Sequence, residues 1–384
     1  LDKASIILTP TAYDNSKVLC VKPSDGSGDF DFSRNSAATR VNAQGLVENV
    51  QTISGNLLDY STFTSPSASW SLVGGLWVFD DTANGYILTP FISVVVGDVF
   101  DVVVDVTIAS GNANFRYASG NAQTTLFPFK DFVDGVNEFQ ATITGVDGNL
   151  ERIFAPASLT DNPFTLNSIS IKKISQDTNL PRINYEGFSF DGSGNVVPNS
   201  GCGSWLWESQ STNLIPYSSD FISGNWFEYN ETSATIDASQ SNPSGANGSY
   251  KIESLSGLGR FGLSAITVAP STNYTLSFYV KNINATLLKV ILGSGASPGS
   301  YTYTSEVNTS NWSRVSVNFT TGAVTSMQIQ LLRDLPIGES VYIWGAQIEA
   351  LPYATSYIPT ENNPNGVTRN QDVCNNGGSL ASIN

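Results

Sequence analysis

Short runs of alternating apolar and polar residues recur along most of this chain. Clear examples are residues 100–108, 274–280 and 314–319, and Asn-Gly, Ser-Gly and Asp-Gly turns separate such runs at close spacing. Period-two alternation places every second side chain on one face of a strand, and no segment keeps a helical period. The pattern predicts an all-β protein built from antiparallel β-sandwiches.

One phrase in this pattern occurs twice. Asn56-Leu-Leu-Asp-Tyr-Ser-Thr-Phe63 runs on to Trp70, and Asn213-Leu-Ile-Pro-Tyr-Ser-Ser-Asp-Phe221 runs on to Trp226. Each copy opens a long strand-rich stretch that closes on an apolar strand. A repeat of this length is typical of a duplicated domain and is too long for a solenoid unit. We therefore expect one β-domain that is used twice.

Loop-rich segments flank the two strand-rich stretches. The first segment is polar and turn-rich, and the C-terminal one is rich in Pro, Asn and Gly. The expected organisation is an N-terminal arm for assembly (1–50), a first β-domain (51–177), a linker (178–211), a second β-domain (212–350) and a C-terminal tail (351–384).

Composition narrows the partners of such a protein. Of its 384 residues, 40% are hydrophobic and 11% aromatic, as in a globular chain, but only 13% are charged, and the net charge is −15. An acidic chain lacks the basic stripes that neutralise phosphates, so nucleic acid is excluded as a partner and anionic membrane surfaces are disfavoured. No run approaches the ~18 apolar residues of a membrane span, so no membrane insertion is expected.

Few residues are available for catalysis. The chain has no histidine, which removes Ser-His-Asp and Cys-His catalysis and His-based metal sites. Cys20, Cys202 and Cys374 are far apart and odd in number, so we interpret them as free thiols. A hydrolytic carboxylate pair remains as the enzymatic alternative. Its candidates, which we interpret chiefly as solvated surface groups, are Asp80, Asp81, Glu228, Glu231, Glu253 and Glu349.

A series of phrases outside residues 51–177 occurs in a fixed order. It comprises Phe32-Ser-Arg-Asn-Ser-Ala-Ala-Thr-Arg-Val-Asn-Ala-Gln-Gly-Leu-Val-Glu48, Asn179-Leu-Pro-Arg-Ile-Asn-Tyr185, Trp205-Leu-Trp-Glu-Ser-Gln-Ser-Thr-Asn-Leu214 and a closing set from Trp344 to Cys374. The series resembles a signature of tailed-phage virion fibre proteins, in which the first two phrases are contiguous. Residues 51–177 therefore look like an inserted second copy of the β-domain.

The resemblance implies two jelly-rolls of the carbohydrate-binding-module type, joined by loop-rich segments. It also implies a non-catalytic fibre or spike protein, homotrimeric and bound to other virion proteins, that is assembled in the host cytoplasm and displayed on the particle to attach to host or environmental glycans. A structural Ca²⁺ is common in such jelly-rolls, but no loop here has a diagnostic ligand spacing, so no metal ligand is assigned. Two alternatives stay open: a purely architectural head-fibre or tail-connector protein, and a polysaccharide depolymerase.

Aromatic residues are the candidate sugar ligands, because a ring stacks on the apolar face of a pyranose while amides and hydroxyls bond its edges. Tyr301 and Tyr303 point to one side of a polar strand and lead the candidates in the second domain. The full predicted set is Trp77, Phe115 and Tyr117 in the first domain and Trp226, Tyr229, Tyr301 and Tyr303 in the second.

Two arginines are the most distinctive polar residues of the N-terminal arm. Arg34 and Arg40 lie close together in a chain with few cations. Guanidinium groups form charge-assisted bonds to carboxylates and backbone carbonyls. We predict that both arginines serve assembly by locking the arm onto a neighbouring subunit or onto the adjacent domain. Ordinary surface arginines are the alternative.

Overall fold

The computed structural model describes most of the chain between residues 10 and 377. The residues left out within that range are 22–23, 110, 121–123, 147, 158–162, 177, 186–187, 191–195, 199–202, 224–225, 230–231, 294, 361–362 and 364. The chain forms two compact units: unit 1 comprises Leu1–Val50 and Asp177–Asn384, and unit 2 comprises Gln51–Gln176.

Strands dominate both units. The first part of unit 1 contains β1 (Pro10–Asp14), β2 (Lys17–Cys20), β3 (Phe30–Ser33), β4 (Thr39–Val41) and β5 (Val47–Asn49). Unit 2 contains β6 (Gln51–Ile53), β7 (Trp70–Val73), β8 (Leu76–Phe79), β9 (Gly85–Ile92), β10 (Val99–Ile108), β11 (Ala113–Ala118), β12 (Thr125–Phe132), β13 (Gly135–Thr142), β14 (Leu150–Ala155) and β15 (Phe164–Gln176).

The second part of unit 1 contains β16 (Ile183–Asn184), β17 (Phe188–Phe190), β18 (Val196–Pro198), β19 (Ser204–Trp205), β20 (Ser211–Asn213), β21 (Trp226–Tyr229), β22 (Thr232–Ser241), β23 (Asn247–Ser254), β24 (Gly259–Thr267), β25 (Asn273–Asn282), β26 (Lys289–Leu292), β27 (Ser300–Thr302), β28 (Ser313–Thr320), β29 (Ser326–Leu335), β30 (Ser340–Glu349), β31 (Val367–Arg369) and β32 (Val373–Asn375). Two short 3-10 helices, Tyr60–Thr62 and Thr304–Glu306, interrupt the strands. Among the described residues, no helix is long and apolar enough to span a membrane.

Unit 2 is a β-sandwich of two antiparallel sheets. One sheet has the strand order β13-β10-β15-β8-β7, with β6 pairing to β15, and the other has the order β12-β11-β14-β9. In β10, every second residue from Phe100 to Val106 is fully buried, which places the apolar face of this sheet against the other one. The first and last strands of the unit are neighbours, because Gln51 of β6 pairs with Gln176 of β15.

Unit 1 is built around a second β-sandwich. Its sheets have the strand orders β22-β23-β30-β25-β28 and β21-β24-β29-β26-β27, and their pairings are antiparallel. A smaller sheet, β1-β2-β3-β32, and the β4–β5 hairpin complete the unit together with two-stranded pairs. The prediction of an all-β protein with two antiparallel jelly-roll sandwiches is confirmed.

Residues outside the second sandwich cover part of its surface. Thr275, Ser277 and Tyr279 lie on the outer side of the central strand β25 and are nevertheless buried. The Leu351 carbonyl of the tail accepts a hydrogen bond from the Thr275 hydroxyl at 2.7 Å, and Val41 and Val47 of the β4–β5 hairpin belong to one apolar cluster with Tyr279. The segments set apart by sequence as arm, linker and tail therefore belong to the same compact unit as the second jelly-roll.

A buried ion-pair cluster joins these three chain segments. Its members are Arg34, Arg182, Glu208, Arg369 and Asp372, and their side chains are at most 9% exposed. Asp372 pairs with Arg34 at 3.1 Å and also binds Arg182 and Arg369, while Glu208 lies 2.9 Å from Arg182 and 3.4 Å from Arg369. Three cations thus face two carboxylates. Further N–H groups of these arginines donate to backbone carbonyls, among them those of Ser36, Thr39, Leu180 and Ser209.

The two arginines singled out by sequence have different partners. Arg34 is 2% exposed and bonds to distant segments of its own chain, so of its two predicted partners the neighbouring subunit is wrong, and the arginine instead locks the arm within its own chain. Arg40 pairs with Glu48 at 2.9 Å and donates to the Tyr13 hydroxyl at 2.9 Å. It therefore ties the N-terminal hairpins β1–β2 and β4–β5 to each other.

We expect unit 1 to lose stability in acid through Glu208. Burial alone would raise the pKa of this carboxyl, but the Arg182 and Arg369 guanidinium groups and hydrogen bonds from Ser356 hold the pKa below its ordinary value of 4.5. A carboxyl with a depressed folded-state pKa stabilises the fold above the unfolded-state pKa, and this contribution is lost as pH falls through the folded-state pKa. Thermal unfolding midpoints should therefore drop below about pH 4.5.

The control for this pH dependence is Glu208→Gln in the full chain. The variant removes the titrating group, so its unfolding midpoint should be lower at neutral pH and should change less between neutral and acid buffers. An equally steep loss of stability in the variant and the parent would contradict the assignment to Glu208.

Candidate functional site

The predicted sugar-binding aromatics of unit 2 are core residues. Trp77 is 6% exposed, and Phe115 and Tyr117 are fully buried. The Phe115 ring stacks on Phe132 with a centroid separation of 4.3 Å, and the Tyr117 hydroxyl shares a 2.8 Å hydrogen bond with Thr89. The prediction is wrong for these three residues, because a ring with no exposed face cannot stack on a sugar.

The predicted sugar-binding aromatics of unit 1 also pack against the core, as far as their side chains are described. Tyr303 is fully buried and donates to the Leu331 carbonyl at 2.9 Å, so the prediction is wrong for it. Trp226 lies almost parallel to the core residue Phe261 at 5.5 Å. Tyr301 is half-buried against the core and donates to Glu306. The side chain of Tyr229 lies outside the described residues.

The error has a general physical reason. Alternation shows that Tyr301 and Tyr303 share a side of the chain, and it does not show whether that side faces solvent. Both pack on the inner side, because burying an aromatic ring removes a large apolar area from water. The sequence pattern therefore placed Tyr301 and Tyr303 on one side of the chain correctly, but it assigned that side to solvent instead of to the core.

The carboxylates considered for hydrolysis also have structural partners. Asp80 accepts hydrogen bonds from the backbone N–H and the hydroxyl of Thr82 and so caps a turn. Glu349 is fully buried and accepts from Ser211 at 2.6 Å and from the Thr355 N–H at 2.9 Å, which fixes the start of the tail. Of the acidic candidates, Asp81 lines the cleft described next.

A cleft of about 510 Å³ opens at one end of unit 2, between loops of the two sheets. Phe79 ends strand β8 and Phe164 begins β15, and these two buried residues lie behind its wall. The other lining residues described are Asp81, Gly111, Asn112, Asn114, Asp131, Pro156 and Ala157. Polar side chains and an apolar wall therefore meet in one concave surface.

Strand pairing explains how the polar residues come together. Asn114 of β11 lies directly opposite Asp131 of β12, and its amide Nδ2 donates to Asp131 Oδ1 at 2.5 Å. Because Phe115 points into the core, its neighbour Asn114 must point outward. Asp81 follows β8 with a left-handed φ of 59° and is 5% exposed. That conformation is uncommon for a residue other than glycine, although aspartate tolerates it better than most.

The cleft suits a neutral, hydroxyl-rich ligand. Carboxylates accept hydrogen bonds, amides both donate and accept, and Pro156 and Ala157 offer an apolar contact that solvent can reach. Pyranose sugars carry both a set of hydroxyls and apolar C–H faces, so they match this combination. Among the described lining residues there is no Lys or Arg to balance an anion. No group of three or more His, Cys, Asp or Glu that could hold a metal ion occurs in the part of the chain described.

Sequence reasoning missed Asn112, Asn114 and Asp131 because it searched for aromatics. A signal for Asn114 did exist in the alternation of Ala113-Asn-Phe-Arg-Tyr117, where inward aromatics imply outward polar neighbours. No local signal could have placed Asp81 beside residues so distant in sequence.

No protein-family model and no curated protein matches the sequence. One similar solved structure is the N-terminal CBM22-1-CBM22-2 tandem domain from Paenibacillus barcinonensis Xyn10C, with 13% identity over 78% of this chain and 99% of that chain and a TM-score of 0.28. Another is a carbohydrate-binding module from Cellvibrio mixtus lichenase 5A in complex with cellotriose, with 11% identity, 37% and 96% coverage and a TM-score of 0.25.

A third is the enzymatically active domain of bacteriophage CBA120 tailspike protein 4, with 14% identity and a TM-score of 0.27. The match covers 35% of this chain and 21% of that chain. At such scores these likenesses say nothing of ligand or reaction, and the β-sandwich assignment rests on the strand pairings of the chain itself.

Proposed function

We propose that this chain is a non-catalytic carbohydrate-binding protein of a tailed-phage fibre or spike. In this proposal the cleft of unit 2 binds a neutral sugar of a host or environmental glycan. The observation that carries it is the convergence of Asp81, Asn114 and Asp131 on one concave surface with an apolar wall. Ordered fibre-like phrases from Phe32 to Cys374 support the virion part of the proposal.

Binding rather than hydrolysis is favoured by how Asp131 is held. A glycosidase needs one carboxyl group to protonate the leaving oxygen and a second one to act as base or nucleophile. The Asp131 carboxylate accepts a 2.5 Å hydrogen bond from the Asn114 amide, an arrangement that favours its ionised form and disfavours it as the proton-donating acid. Fixed acceptors and amides orient sugar hydroxyls in a binding site.

We expect Asp131→Asn and Asn114→Ala to weaken glycan binding by at least about tenfold, because hydrogen bonds to charged groups contribute about 1.5–3 kcal/mol and 1.4 kcal/mol is tenfold in affinity. Isothermal titration of the purified chain with neutral polysaccharides and with extracted host surface polysaccharides measures the effect. The matched control is Glu138→Gln, which removes one exposed carboxylate from β13 outside the cleft.

Three results would contradict the proposal. Unchanged binding in both cleft variants would remove the cleft as the site. Release of reducing ends that disappears in Asp81→Asn would make the protein a depolymerase. Absence of all glycan binding, with the chain still detected on particles by immunogold labelling, would favour the architectural alternative, and unlabelled particles would contradict the virion assignment.

A further inference from the structure

The sheet β22-β23-β30-β25-β28 of unit 1 has an outer face that is covered over one half. Tyr279 and Trp344 lie under the β4–β5 hairpin and Tyr357, where they form a small apolar cluster. Next to this covered half, Tyr342 of β30 pairs with Lys251 on one side and with Lys281 on the other. Side chains directly opposite on neighbouring strands lie on the same face and contact each other.

Trp312 completes an open row on this face. It precedes β28, is half-buried against the covered cluster, and its ring centroid lies 6.4 Å from that of Tyr342. Its Nε1 donates to the Ser241 carbonyl at 3.1 Å, which fixes the plane of the indole. We call Lys251, Tyr342, Lys281 and Trp312 the aromatic platform.

Hydrogen bonds also hold the rest of the platform in place. The Tyr342 hydroxyl donates to Asp237 at 2.6 Å, Lys251 pairs with Glu253 at 2.7 Å, and Lys281 donates to Gln240 at 3.1 Å. A surface whose side chains are already ordered loses less conformational entropy on binding. Such order is a property of a prepared binding surface.

Charge and size together indicate the ligand class. Two lysines are balanced by the carboxylates of Asp237 and Glu253, so the platform offers donors and acceptors without net charge. Lys251 and Lys281 are two strand spacings apart, roughly 10 Å, which exceeds the length of one pyranose. Aromatic rings stack on sugar faces that carry C–H groups, and these faces are most continuous in β-linked chains with equatorial hydroxyls.

We propose that the aromatic platform is a second glycan site, which takes a neutral β-linked oligosaccharide lying across strands β23, β30 and β25. This inference deepens the proposed function and rests on it for the ligand class alone. Trp312 and Tyr342 stack on the sugar rings, while Lys251, beside Tyr342, and Lys281, between Tyr342 and Trp312, bond sugar hydroxyls. The site lies in unit 1 and shares no residue with the cleft of unit 2.

The test titrates the full chain with β-linked hexasaccharides of glucose and of xylose and with an α-linked glucose hexasaccharide. Trp312→Ala should weaken β-linked binding at one site by tenfold or more, and Lys281→Gln, which leaves the packing intact, should weaken it severalfold. Tyr301→Ala removes a half-buried tyrosine from the opposite sheet and serves as the control. Unfolding midpoints identify any variant whose loss is due to its fold.

The outcomes separate the two proposals. Loss of one of two binding events in Trp312→Ala, with the other lost in Asp131→Asn, supports both sites. Parent-like binding in Trp312→Ala and Lys281→Gln, with loss in Asp131→Asn, overturns the platform and leaves the proposed function standing. Preference for the α-linked probe at the platform also overturns it. No binding by the parent chain removes both proposals.

Discussion

Asp372→Asn is expected to destabilise unit 1 by about 3–5 kcal/mol, the usual loss when one partner of a buried ion pair is removed. The substitution removes the carboxylate that Arg34, Arg182 and Arg369 share, and it leaves Glu208 paired with Arg182 and Arg369. Urea unfolding of the full chain measures the effect, and the transition that belongs to unit 2 should keep its midpoint.

A second variant tests whether the loss of stability comes from charge and not from packing. Arg34→Met keeps an unbranched apolar stem and removes one cation, so two arginines would then face two carboxylates. We expect a smaller loss than for Asp372→Asn, because Asp372 and Glu208 both keep Arg182 and Arg369 as ion-pair partners. Equal losses in both variants would show that packing, and not charge balance, stabilises the cluster. An unchanged midpoint in Asp372→Asn would contradict the cluster itself.

Phe115→Ala is expected to destabilise unit 2 by about 3–5 kcal/mol, the usual cost of truncating a buried phenylalanine to alanine. The ring is fully buried between Phe132, at 4.3 Å, and Phe164, at 5.5 Å. Differential scanning calorimetry of the full chain should show a lower melting temperature for one unit and an unchanged one for the other.

The control for this prediction is Phe115→Leu, which retains most of the apolar volume and should cost less than about 1.5 kcal/mol. We expect Phe115→Leu to bind glycans like the parent chain, because residue 115 has no exposed surface. Loss of binding in a well-folded Phe115→Leu protein would return this position to the list of sugar contacts.

The β-sandwiches could be predicted because the alternation of apolar and polar residues within each strand shows which side chains are buried. In β10, Phe100 and Val102 point inward and Asp101 between them is half-exposed, a pattern visible without any partner strand. The outward direction of Asn114 was visible in the same way. Local pattern is sufficient wherever one side of a strand is apolar and the other polar.

The sites could not be predicted, because they depend on contacts between distant segments. Asn114 meets Asp131 through the register of β11 and β12, and Arg34 meets Asp372 across almost the whole chain. Trp312 and Tyr342 come together through the order of strands in one sheet. Register and strand order follow from the packing of the whole unit, which no short segment encodes.

The pairing of Gln51 with Gln176 explains how unit 2 can stand between the two parts of the unit 1 sequence. Directly paired residues in antiparallel strands have Cα atoms about 4.5–5.5 Å apart, so the two ends of unit 2 lie side by side. A folded insertion with adjacent ends costs the surrounding unit little more loop-closure entropy than a tight turn does. Unit 2 could therefore be exchanged for another sandwich with adjacent ends without interrupting the fold of unit 1.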